Sequence, residues 1–229
     1  MKHWPTVLQN DFDRAMNEIR NSGLEDMLGA GEIEKLRQYI NLLLYWSERM
    51  NLIATRDRDY LPTKHILPAL LLLSEVRALP HKTIIDFGSG AGLPGIPLKI
   101  ALPEIEIILL ESRRKRAHFL KEVVRRLGLK GIRAVNQRIE QMESMEKVEL
   151  VVTRAAAEPD KLIHLVKPLL KPYGSVVSYL SQGLVKEKKT GNVSVLYQKR
   201  MVGCASGTIG ILAEKWKDSK FKHLSTSWL

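Results

Sequence analysis

The chain has 229 residues, 45% of them hydrophobic and 27% charged, with a formal charge of +11. These proportions suit a globular protein long enough to bury a sizeable core, and they exclude a low-complexity or collagen-like chain. A single cysteine, Cys204, excludes an intramolecular disulfide, and the excess of Lys and Arg favours an anionic partner, because cations set against phosphates release condensed counterions.

The first 80 residues are patterned for helices. Residues 11–21 and 32–50 are predicted helical; in the second, Ile33, Leu36, Ile40, Leu43 and Leu44 recur at helical spacing. Gly29 and Gly31 punctuate the gap between the two. A third apolar helix is expected over 62–79, with Pro62 near its start and Pro68 kinking or delaying it. Asp11 arrives before any long apolar run, which argues against a signal peptide. The strongest apolar run, Leu67 to Leu73, is too short to span a bilayer, so no membrane partner is expected and the default location is the cytoplasm.

From Thr83 the pattern changes to alternating strands and helices. Thr83–Phe87 reads as a strand and Leu93–Leu102 as a helix, followed by the strand Ile105–Leu110, apolar enough for burial on both faces. Ser112–Leu127 is a basic amphipathic helix ending at Gly128. Strands at Ile132–Val135 and Val148–Thr153, a helix at Pro159–Leu170 and a strand at Gly174–Leu180 continue the alternation. The last two strands, Val193–Gln198 and Thr208–Ala213, lack a helix-length connection and predict an antiparallel hairpin. The expected fold is α/β and Rossmann-like, with a mainly parallel sheet, a terminal antiparallel hairpin and an N-terminal helical segment. The division expected is a helical extension over 1–80 and the α/β domain over 81–229.

The segment Asp86 to Gly95, DFGSGAGLPG, follows a strand and opens a helix. An open α/β sheet binds nucleotides there, at the carboxyl ends of its strands. Gly88, Gly90 and Gly92 let the backbone turn tightly and come close to a ligand. Glu111 ends the next strand, where a carboxylate can accept hydrogen bonds from both ribose hydroxyls of an adenosine cofactor. A dinucleotide site shares both features. Two others favour S-adenosylmethionine (SAM): the spacing is GxGxG rather than GxGxxG, and Asp86 places an acid before the first glycine. SAM carries a sulfonium and an amino group, both cationic, and no pyrophosphate.

Four segments together resemble the RsmG (GidB) family, whose members methylate N7 of one guanine in bacterial small-subunit rRNA. They are DFGSGAGLPGIPLKI, ESRRKRAHFLKEVVRRLGL, RIE at 138–140 and TRAAA at 153–157. The likeness runs from Asn51-Leu52 and His65-Ile66 to about Gly183. It implies a class I SAM methyltransferase fold and a 16S rRNA or small-subunit partner. It also implies cofactor contacts from Asp86, Gly88, Gly90, Gly92 and Leu93, and ribose binding by Glu111. Ile139 and Glu140 would lie along the adenine, and Arg154 would act as both cofactor-binding and catalytic residue beside the sulfonium and the incoming base. Two departures fall on the expected substrate side. The family's H-I-x-D-S-L is here His65-Ile66-Leu67-Pro68-Ala69-Leu70, and its Lys-Gly after strand five is Gln182-Gly183.

Methyl transfer of this kind needs little from side chains. The leaving group is a neutral thioether and guanine N7 already carries an exposed lone pair, so proximity and alignment can suffice. That agrees with a chain lacking a nucleophile–His–Asp set, HExxH, CxxC or any metal-ligand spacing among its six histidines; no metal is expected. His65 reads as a hydrogen-bonded structural histidine. Arg154 reads either as an active-site group or as the partner of a nearby carboxylate. The basic helix with Arg113, Arg114, Lys115, Arg116, Lys121, Arg125 and Arg126 reads either as a solvated face or as phosphate contacts. Two other functions stay open on sequence alone: a SAM-dependent methyltransferase for another RNA, a protein or a small molecule, and a non-catalytic SAM- or RNA-binding protein of ribosome assembly.

Overall fold

The computed structural model describes residues 4–79, 81–139, 147–154, 159–180, 188–190, 193–202 and 205–214. The chain opens with helices α1 (Thr6–Asn21) and α2 (Ala30–Ser47), both starting earlier than their apolar spacing predicts. Leu8, Phe12, Ala15, Met16 and Ile19 line the buried side of α1. Leu36, Tyr39, Ile40 and Leu43 do the same for α2, with Ile33 and Leu44 packed at its margin. The stretch 62–79 is not one helix. A tight turn at Thr55–Tyr60 leads to a π-helical turn, Pro62–Ile66, then α3 (Leu67–Leu70) and α4 (Leu73–Ala78). Pro68 has no N–H to give, and a run apolar on every side has no polar face to set one axis. The segment therefore breaks into short pieces, each with buried residues. Asp11, itself buried on α1, accepts hydrogen bonds from the Thr63 N–H (2.9 Å) and hydroxyl (2.7 Å) and anchors the π-turn to α1.

Among the described residues, eight strands form one sheet: β1 (Thr83–Phe87), β2 (Glu106–Glu111), β3 (Ile132–Asn136), β4 (Val148–Thr153), β5 (Leu170–Leu180), β6 (Lys188–Thr190), β7 (Val193–Val202) and β8 (Ala205–Glu214). Their order is β3-β2-β1-β4-β5-β8-β7-β6. The first five are parallel, and β8, β7 and β6 continue antiparallel. The predicted hairpin is β7–β8. The short β6, two lysines and a threonine, was not predicted. Helices α5 (Gly95–Ala101) and α6 (Arg114–Arg126) follow β1 and β2, and α7 (Pro159–Val166) follows β4.

Alternation along the strands separates two buried layers. Ile84, Ile107, Leu109, Leu150 and Val152 face one side and pack with α1–α6. Ile85, Ile108, Leu110 and Val151 face the other with Leu162 and Val166 of α7. The helical segment has no core of its own: Phe12, Leu36 and Ile40 belong to one cluster with Ile84, Leu109 and Leu120. Each such buried side chain is worth about 1.5–3 kcal/mol. The chain runs outward from β1 through β2 to β3, then returns to β4 on the other side of β1. That reversal makes the carboxyl ends of β1 and β4 a topological switch point, the place where such sheets bind ligands. No described helix is long and apolar enough to cross a membrane.

Candidate cofactor and active site

The loop after β1 is held almost entirely through its main chain. Gly88 and Ser89 donate from their N–H groups to the Leu110 carbonyl at 2.9 and 3.1 Å, and Gly92 donates to the Ser89 carbonyl at 2.6 Å. Gly88, Gly90 and Gly92 have φ of +71°, +53° and +90°, the left-handed region that side chains resist; hence the glycine spacing. A Cβ on Gly88 would meet no heavy atom within 4 Å, so a ligand can approach the bare backbone there. Gly95 is needed for a different reason: a Cβ there would stand 2.5 Å from a Leu109 methyl and 2.7 Å from Asp86 Oδ2. Leu93 lies in the same loop, 6% exposed.

Asp86 is fully buried beneath this loop. Its Oδ2 accepts the Gly95 N–H at 3.0 Å, whereas Oδ1 is buried with no hydrogen-bond partner. Burial pushes its carboxyl up to about 7, against the opposing pull of the Gly95 N–H and the Ser89 hydroxyl. A carboxylate in that position calls for a cation.

Glu111 ends β2 as expected and is 5% exposed. Its Oε2 accepts the Gly90 N–H at 2.9 Å and its Oε1 the Arg113 N–H at 2.8 Å. One side chain thus ties the loop to the start of α6, with its charge at the helix's positive end. Each oxygen retains a further lone pair for a hydroxyl donor. Asn136 at the end of β3 steadies this corner by donating from Nδ2 to the Glu111 and Ser112 carbonyls at 2.9 and 3.0 Å. Ile139 follows three residues later, packed against the layer of Ile108 and Leu110. Glu140 lies outside the described residues, as do Gln182 and Gly183.

Arg154 follows β4, beside β1, and the Thr153 hydroxyl donates to the Phe87 carbonyl at 2.9 Å to tie the two strand ends together. Among the described residues the arginine meets a histidine. Its Nη2 donates to His65 Nδ1 at 2.7 Å, across 89 residues. Burial first, and then the Arg154 charge, lowers His65 to about 4. The imidazole is therefore neutral at pH 7, with Nδ1 accepting and the proton on Nε2, which faces Asp57 Oδ2 at 3.8 Å. Asp57 also pairs with Lys64. His65 is hydrogen-bonded as expected, but its partner is the candidate catalytic arginine. It sits in the π-turn, an irregularity that often marks functional sites.

Sequence reasoning missed Tyr39. Its hydroxyl, fully buried on α2, donates to the Ala91 carbonyl at 2.6 Å, in the middle of the glycine loop. It also missed the place of Arg116. Most of the basic helix is solvated, with Arg113, Arg114, Lys115, Lys121, Arg125 and Arg126 exposed. Arg116 instead turns inward, donating to the Asn51 carbonyl at 3.3 Å, with Nη1 3.7 Å from the site of a Cβ on Gly90. Pro68 and Ala69 are both buried in α3. Two cavities lie away from the loop. One, of about 400 Å³, is at the opposite end of the strands between Lys82 and Gly131; the other, of about 730 Å³, is on the outer face of α2 beside Trp4 and Tyr45. Among the described residues no group of His, Cys, Asp or Glu side chains is placed to hold a metal.

Residues 32–206 match the family model GidB, described as rRNA small subunit methyltransferase G. The chain is 36% identical over 173 residues to the ribosomal RNA small subunit methyltransferase G of Lachnoclostridium phytofermentans, across 74% of this chain and 71% of that relative. It is 37% identical over 156 residues to the protein of the same name from Moorella thermoacetica, across 66% of this chain and 65% of the relative. Among solved structures it resembles an O-methyltransferase from Bacillus cereus in complex with SAH. The TM-score is 0.54 at 15% identity, over 78% of this chain and 91% of that one, a likeness of fold alone.

Proposed function

The chain belongs to the rRNA small subunit methyltransferase G family, and from that premise we propose that it transfers a methyl group from SAM to guanine N7 in 16S rRNA. The observation that carries this reading is the loop Asp86–Gly95. It is a main-chain cradle with a buried carboxylate oxygen that lacks a partner on one side, and Glu111 on the other. A cationic ligand with a ribose fits both. Bound SAM supplies an activated methyl on sulfur. Gly88, Gly90, Gly92 and Leu93 line its approach, Asp86 offsets its positive charge, and Glu111 holds the ribose through its spare lone pairs. Ile139 and Glu140 flank the adenine.

Arg154 orients the incoming base and stabilises its carbonyl edge, and the neutral His65 holds the guanidinium in place. No side chain has to remove a proton, because the guanine lone pair attacks directly. The helical segment 1–80 serves as an extension of the methyltransferase unit 81–229, with which it shares a core. The partner is 16S rRNA, free or within the small ribosomal subunit, met in the cytoplasm. The exposed cations of α6 supply phosphate contacts.

The test is transfer of labelled methyl from SAM to 16S rRNA and small subunits that lack the modification, with mass mapping of the product. The expected result is one methyl on one guanine, with loss of reactivity at N7. Label in a different RNA or in protein would favour another substrate, and no transfer with intact SAM binding would favour a non-catalytic role.

A further inference from the structure

We propose that Tyr39 is a positioning residue of the cofactor loop: from the helical segment its hydroxyl fixes the Ala91–Gly92 peptide and so pre-shapes the loop for SAM. This inference rests on reading that loop as a SAM site. Tyr39 is fully buried, so its hydroxyl must find its partner inside the protein. It donates at 2.6 Å to Ala91, 52 residues along the chain, across the boundary between α2 and the sheet. The same peptide is held from its other end, where the Gly92 N–H donates to the Ser89 carbonyl at 2.6 Å. One residue earlier, the Gly90 N–H is held by Glu111.

The peptides on both sides of the Gly90–Ala91 link are thus held, and of these ties the one on the Ala91 carbonyl comes from the helical segment. The tie matters because glycine backbone loses the most conformational freedom on ordering. Gly90 and Gly92 flank Ala91, and both stand at positive φ. Without the phenol hydroxyl, the loop samples more conformers before ligand arrives, and the cost of ordering falls on binding. Packing alone does not call for the hydroxyl: phenylalanine would fill the same place on α2.

The experiment compares the full chain with Tyr39→Phe, which keeps the buried ring and hence the core. SAM binding is measured by calorimetry, methyl transfer as a function of SAM, and hydrogen exchange at the Gly90 and Gly92 amides. The expected result is a rise of about three- to tenfold in Kd and KM for SAM. kcat at saturating SAM stays within about twofold, and the loop amides exchange faster in the ligand-free variant. Tyr45→Phe, on the exposed side of the same helix, leaves all three readings unchanged. Equal SAM affinity in Tyr39→Phe and the parent chain overturns the proposal, and so does a lowered Tm with unchanged Kd, which marks the phenol as structural only. Failure of the parent chain itself to bind SAM overturns the reading of the site, a separate and recognisable outcome.

Discussion

The two halves of the site are built from different materials. On the sheet side the chain uses backbone: Gly88, Ser89 and Gly92 are tied through main-chain N–H groups, and Glu111 binds two more of them. On the helical side it uses long-range side-chain contacts: Tyr39 reaches Ala91, and His65 reaches Arg154 with Asp57 behind it. Backbone can come close to any ligand of the right shape but is loose in glycine-rich sequence. The helical segment adds side chains that narrow that looseness. In the proposed site one region supplies contact and the other supplies order, and the two share a single core.

Substitutions should separate these roles. The largest effect is expected at Glu111→Ala, which removes the proposed ribose acceptor and frees the Gly90 and Arg113 N–H groups together. SAM affinity should fall by about 100-fold or more by calorimetry. Arg154→Ala should lower kcat by roughly 10- to 100-fold in single-turnover methyl transfer, with a smaller change in SAM affinity. If the two variants lose SAM affinity equally, the split between binding and alignment is wrong.

His65→Leu should act in the same direction as Arg154→Ala but by only about three- to tenfold in kcat, since it removes the support and not the guanidinium. It should also alter stability against pH. A histidine at about 4 in the folded chain and near 6.5 unfolded binds fewer protons when folded, so its share of stability is present above 6.5 and is lost as pH falls from 6.5 toward 4. Chemical denaturation of His65→Leu should show a shallower loss over that window. The smallest effect is expected on the exposed face of α6. Arg114→Gln with Lys115→Gln should raise KM for RNA a few-fold and reduce the salt dependence of RNA binding by about two charges, without touching SAM affinity.

Much of the sheet side was legible beforehand because its signals are local. A strand buried on both faces declares itself by a run such as Ile107–Leu110. Backbone at positive φ declares itself by glycine, and Glu111 follows from its place at a strand end. The helical side was less legible because its important contacts span 52 and 89 residues. Tyr39 occupies an ordinary buried position of α2, and nothing in the spacing says where its hydroxyl goes. The expected helix over 62–79 broke up because apolar pattern measures burial and not the continuity of an axis. β6 escaped because Lys-Lys-Thr is too short and too polar to show an apolar alternation. The signal that could have found Tyr39 is a tyrosine amid aliphatic residues on a buried helix face, since its hydroxyl must be satisfied somewhere.

The central claim is that Asp86 and its loop receive a cationic cofactor, and SAM binding against pH tests it most directly. Asp86, raised to about 7 in the unliganded chain, should ionise to meet SAM. Calorimetry on the parent chain should then find one SAM per chain. Kd should weaken as pH falls below 7, by at most about tenfold per unit, and level off above it. In Asp86→Asn binding should be weaker and this pH dependence absent. The unliganded variant should be more stable than the parent above pH 7, because the parent's raised carboxyl loses stability as pH climbs from about 4 to 7. No SAM binding at any pH, or an identical pH dependence in both proteins, would contradict the account.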